Sequence, residues 1–253
     1  METKYSIIQE KQAEHPVRKL IMVKGDRNFI ASLSAFGPGI YKNNQAEMQK
    51  QYSHPETGKT ISFKPATTAE TILINAYDFE NIAKKEIFGP SWLQVGRIVR
   101  TSEGVFANPP ADRQGSPITD EKTLKSFLKT SKKVNEIYLL GNDFGFAPYE
   151  TFSRGVQDCD TFTQGGLARI LEYTEKKEAE NLRAMASPKF YKRGVNVLGF
   201  DDVKEPILRV VGLYSNRGLG DDGLDVDGDG WGGGGSGYAS GVLNSGEASA
   251  KNK

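Results

Sequence analysis

Short apolar runs cut off by turn-forming residues limit what this chain can fold into. Residues 17–23 and 28–33 flank Lys24-Gly25-Asp26-Arg27, a pattern that predicts a β-hairpin. Residues 52–63 place two short strands about a Pro55-Glu56-Thr57-Gly58 turn, and residues 94–101 and 104–107 repeat the arrangement around Ser102-Glu103. Residues 136–140, 195–200 and 207–214 add strands, the last with its alternation disturbed by the adjacent Val210 and Val211. Hairpins outnumber strand-helix-strand units. The expected class is therefore α+β, with a mixed, mostly antiparallel sheet, two or three amphipathic helices and a Gly/Asp-rich C-terminal extension.

The helices announce themselves by caps and spacing. Thr67 with Glu70 three residues later forms a capping box, and Ala69, Ile72, Leu73, Ala76, Phe79, Ile82 and Ala83 recur at helical intervals, which predicts a helix over 68–85. Asp120 is placed to cap a second helix carrying Leu124, Phe127 and Leu128. A third, over 160–186, puts Leu167, Ile170, Leu171, Leu182 and Met185 on one side before Pro188 stops it.

A chain of 253 residues is long enough to bury a substantial core. The domain reading is a globular body over 1–214, with a sub-boundary near the proline-rich 109–117, and a flexible, acidic tail over 215–253. Cys159 is the only cysteine, which rules out an intrachain disulfide and a cysteine-rich zinc cluster. No run reaches the roughly 18 apolar residues of a membrane helix, and the N-terminus lacks a secretory pattern. These observations predict a cytoplasmic protein with no membrane partner. Residues 1–133 carry a net +6 and residues 134–253 a net −5, well short of the footprint of a dedicated nucleic-acid binder.

The one metal-like spacing is Asp225-Val226-Asp227-Gly228-Asp229-Gly230. In a calcium loop, oxygens come from positions 1, 3 and 5, Gly at 6 makes the turn and a bidentate Glu closes position 12. Asp225, Asp227 and Asp229 fit, but position 12 is Ser236. Calcium or magnesium is thus a candidate there, and no other cofactor is expected. Residues 53–60 approach a phosphate-binding loop, but Ser53 replaces its first glycine and a strand follows where a helix is needed. Asp143-Phe144-Gly145 repeats a protein-kinase tripeptide, yet neither histidine is followed by Arg-Asp.

Two further groups are candidates. Asp143, Asp158 and Asp160 lie near a strand end and a helix start, where paired carboxylates can do acid and base work. Lys189, Tyr191, Lys192 and Arg193 interleave basic and aromatic side chains, the combination that stacks on bases while neutralising phosphates. No complete catalytic constellation is present. The leading expectation is a non-catalytic binding or assembly protein with a protein partner or self-association. The alternatives are a carboxylate- or metal-dependent enzyme near Asp143 and Asp158, and a nucleic-acid-binding protein.

Overall fold

The computed structural model describes residues 15–24, 28–77, 92–141, 143–215, 223–230 and 237–244. Strands β1 (Leu20–Val23) and β2 (Phe29–Ser32) pair antiparallel as the first hairpin, with its turn outside the described residues. After β3 (Phe36–Gly39) and helix α1 (Tyr41–Met48), strands β4 (Tyr52–Ser53) and β5 (Thr60–Ile61) form the second hairpin. Strand β6 (Phe63–Pro65) leads into α2 (Thr68–Tyr77). The capping box is reciprocal: Thr67 N–H donates to Glu70 Oε2 (2.9 Å) and Glu70 N–H donates to Thr67 Oγ1 (3.2 Å). The expected continuation of α2 to Lys85 lies outside the described residues.

The larger sheet is built on β7 (Trp92–Arg100) and β8 (Gly104–Ala107), the third hairpin. Helix α3 (Glu121–Leu128) starts on Asp120, whose Oδ1 accepts from Thr123 N–H at 2.8 Å. Then come β9 (Lys132–Val134), β10 (Ile137–Leu140), β11 (Phe144–Pro148) and β12 (Gly155–Gln157). Helices α4 (Cys159–Gln164), α5 (Gly166–Glu172) and α6 (Glu180–Met185) precede β13 (Gly194–Leu198) and β14 (Ile207–Ser215). Strands β15 (Gly223–Asp227), β16 (Gly237–Ala239) and β17 (Gly241–Leu243) complete the order.

The main path of the larger sheet runs β12-β13-β15-β14-β7-β8-β11-β10-β9. Its pairs are antiparallel except β13 with β15, and β16 joins β7 in parallel. The smaller sheet runs β1-β2-β17-β6. The class is α+β with mixed, mostly antiparallel sheets. No helix among the described residues is long and apolar enough to cross a membrane.

One edge of β7 pairs with β14 along most of its length. The other is divided, with β8 on Ile98 to Arg100 and β16 on Trp92 to Gln94. Leu93, Val95 and Ile98 pack with residues of α2, α4, α5 and α6 in the largest core. A separate cluster sets Leu124 of α3 against Val99, Phe106, Phe144 and Phe146. Phe36, Tyr52 and Phe63 meet edge-to-face in a third.

Three expectations are corrected. The long helix over 160–186 is three helices. Gly165 is extended (ψ 150°) between α4 and α5, and Tyr173 is left-handed (φ 53°) at the end of α5. A Cβ on Gly166 would lie 2.1 Å from Thr151 Oγ1, so its glycine is set by close packing rather than helix preference. Segment 109–117 divides nothing, because Ile118 and Leu124 after it pack on Val99 and Phe106 before it.

The C-terminal tail is the third correction. β15 lies between β13 and β14, β16 lies between β3 and β7, and β17 lies between β2 and β6. Leu224 and Val226 enter the main core while Asp225 and Asp227 take the opposite face. This is the period-two alternation of a strand, hidden in the sequence by its acidic and glycine-rich composition.

Candidate functional site

The aspartates of the calcium-like hexapeptide turn to different partners. Asp225 Oδ1 accepts from Asn196 Nδ2 on β13 at 3.1 Å. Asp227 Oδ1 accepts from Asp229 N–H at 2.8 Å, a local turn bond. Asp229 Oδ1 accepts from Arg100 Nη2 at 2.7 Å and from Arg209 Nε at 3.0 Å. Arg100, itself buried, also donates to the Gly199 carbonyl. Among the described residues no three His, Cys, Asp or Glu side chains group to hold a metal ion.

The hexapeptide's glycines have a packing reason. Gly228 N–H donates to Leu198 O at 2.9 Å, and a Cβ on Gly228 would sit 2.7 Å from the Phe200 ring. A Cβ on Gly230 would sit 2.5 Å from Val210 O. Both glycines let this turn approach neighbouring backbone, a role different from wrapping a cation.

Beside this turn lies a cavity of about 200 Å³, lined by Trp92, Gln94, Val210, Gly212, Asp227 and Gly230 among others. Its floor is an irregularity in the β7–β14 ladder. Val211 pairs with Gly96 but Gly212 pairs with Gln94, so Val95 is the extra residue of a bulge. Bulges re-aim side chains and are frequent beside sites. Trp92 stacks on Tyr214 with ring centroids 4.9 Å apart. Its six-membered ring covers Gly212, where a Cβ would lie 2.8 Å from Trp92 Cε3.

The polar groups around the cavity are fixed in place. Gln94 Oε1 accepts from Asn44 Nδ2 (2.9 Å), Gln94 Nε2 donates to Gly39 O (3.1 Å), and Asn44 Nδ2 donates to Gly237 O (2.8 Å). This network ties α1, β3, β7 and β16 together. Asp227 is 7% exposed, and its burial pushes the carboxyl above its ordinary range. The bond from Asp229 N–H opposes that shift, while the charges of Asp229 and Asp225 add to it. The result is a mainly apolar chamber with one buried carboxylate in its wall.

The other candidate residues do not assemble. Asp143, in the β10–β11 turn, accepts from Thr67 Oγ1 at 3.5 Å, and its carbonyl accepts from Asn108 Nδ2 at 3.0 Å. Asp158 caps α4 by accepting from Thr161 N–H at 2.8 Å, and the backbone and side-chain bonds from Thr161 lower its pKa. Asp160, which is not the cap, pairs with Arg183 at 2.8 Å. Asp158 follows β12 and Asp143 precedes β11, and along the sheet path β13, β15, β14, β7 and β8 lie between those strands.

The basic-aromatic segment is divided in the same way. Lys189, Lys192 and Arg193 are exposed, but Tyr191 is completely buried in the main core and has no face to offer a base. Among other basic residues, Arg100 is internal, Lys132 pairs with Glu175 and Lys133 with Glu136.

Trp92, Gln94 and Gly212 escaped the sequence reading as site residues. The signal was present in the adjacent Val210 and Val211, whose broken alternation falls at the bulge. The chain matches no protein-family model, no curated protein and no solved structure.

Proposed function

We propose that this chain is a non-catalytic binding protein and that its ligand is a small organic molecule held in the cavity beside β7 and β14. The observation that carries this reading is Asp227, a carboxylate only 7% exposed in the wall of a mainly apolar chamber. Concave, mainly apolar sites with a few fixed polar groups are the usual form of a small-molecule site. A charge kept out of water raises the free energy of the empty protein, and a ligand that engages it offsets that cost.

Carboxylate-based acid–base catalysis would call for a second titratable group facing the reacting atoms. Of Asp225, Asp227 and Asp229, only Asp227 lines the chamber. The binding reading is therefore favoured over the enzymatic one.

The test is uptake of small aromatic probes by the full chain, followed through Trp92 fluorescence in a Trp231→Phe background and through the rise in Tm that a ligand of the native state produces. Saturable binding that disappears in Val210→Phe, which fills the chamber, is the expected result. Uptake unchanged in that variant would overturn the site.

A further inference from the structure

Resting on the binding reading above, we infer that the ligand of this cavity is a small organic monocation, a compact apolar body carrying one ammonium or similar group. The cavity wall contains a carboxylate, that of Asp227, and no basic side chain. An anionic ligand would therefore meet a like charge, which Arg100 outside the lining offsets only in part. A neutral, heavily hydroxylated ligand would lose its water hydrogen bonds against Val210, Val211, Gly212 and the Trp92 ring. A cation with an apolar body suits both surfaces.

The neighbouring charges fix why Asp227 is the group available. Asp229 is shared by Arg100 and Arg209 at 2.7 and 3.0 Å, so its charge is already compensated. Asp225 accepts from Asn196 and does not line the chamber. Asp227's bond from Asp229 N–H uses Oδ1 and comes from a neutral amide. A bound ammonium would give this buried carboxylate a charge-assisted partner, the stronger kind of hydrogen bond. Trp92, in the same wall, adds an aromatic surface suited to cations.

Size limits the body. A chamber of about 200 Å³ exceeds the roughly 150 Å³ that accommodates benzene, but it is below the ~300 Å³ at which drug-sized pockets begin. The ligand is therefore near a benzylammonium or a short branched alkylammonium in size, well short of a nucleotide or a peptide.

The experiment titrates the full chain with benzylamine, protonated at neutral pH, and with benzyl alcohol, its neutral counterpart of nearly the same shape. Wild type is expected to bind benzylammonium at least tenfold more tightly than the alcohol. That preference should fall to near unity in Asp227→Asn and persist in Asp225→Asn. Lowering the pH through the titration of Asp227 should weaken the ammonium and leave the alcohol unchanged, which tests the inference even if Asp227→Asn folds poorly. Equal binding of the two probes, or a preference that survives Asp227→Asn, would overturn the cationic ligand class while leaving the cavity as a binding site. Binding of neither probe would overturn the cavity reading itself.

Discussion

Asp229 Oδ1 lies 2.7 Å from Arg100 Nη2, joining a turn after β15 to the far end of β7 across 129 positions of sequence. The same oxygen holds Arg209 of β14 at 3.0 Å. One carboxylate thus bridges two guanidinium groups on adjacent strands, and Arg100 has only 5% of its side chain exposed.

Asp229→Ala leaves Arg100 buried beside a like charge. Removing one partner of a fully buried pair costs about 3–5 kcal/mol. Asp229 is half exposed, so the expected loss is smaller, about 2 kcal/mol after discounting for solvent screening. Urea unfolding measures it, and a cycle with Arg100→Met separates the pairwise coupling from the packing of the arginine stem. Equal stability of Asp229→Ala and wild type would show that the pair contributes nothing.

Asp227→Asn should raise Tm at about pH 7. Burial raises the folded-state pKa of Asp227 above its ordinary 3.8, so in the interval between the unfolded and folded values the native state binds more protons than the unfolded chain. Stability then falls as pH rises through that interval. The cost of the charge is fully present above the folded value and absent below the unfolded one. The Tm advantage of Asp227→Asn should therefore shrink toward zero at about pH 3, and an advantage independent of pH would mean that burial of charge is not its source.

Gly212→Ala places a methyl 2.8 Å from Trp92 Cε3 and 3.3 Å from Cζ3. The indole has to move, at a cost of about 1–3 kcal/mol for overpacking, and its stacking on Tyr214 should be disturbed. Near-UV circular dichroism in a Trp231→Phe background reads the displacement directly. An unchanged aromatic signal would mean that the strand absorbs the methyl instead.

Thr67→Ala removes the acceptor of Glu70 N–H at the start of α2. The expected loss is about 1 kcal/mol, measured by equilibrium unfolding. Thr67→Ser keeps the hydroxyl and should recover most of it.

Much of the fold was legible because it is local. The hairpins β1–β2, β4–β5 and β7–β8, the cap at Asp120 and the box at Thr67 all depend on residues a few positions apart. The site was not legible for the converse reason. Trp92, Gly212 and Asp227 meet only because β14 lies between β7 and β15, and nothing in their immediate neighbours encodes that order. The hexapeptide has a second reading in the fold. Its aspartates have calcium-loop spacing, but the same spacing places Asp225 and Asp227 on one side of a strand with Leu224 and Val226 on the other. Acidic composition concealed that alternation, and Gly228 and Gly230 read as flexibility when each marks a close backbone approach.

The divided edge of β7 also has a temporal side. A chain grows from its N-terminus, so β7 is made with β8 to cover half of one edge, and the half beside Trp92 to Gln94 stays open until residues 237–239 emerge. The smaller sheet waits too, since β17 inserts between β2 and β6. A nascent chain halted before residue 237 would expose unpaired strand edges in both sheets, the surfaces on which aggregation and proteolytic recognition act. The last-made described strands thus act as the fastener of the whole assembly, and the chamber acquires its Gly237 wall only when they close it.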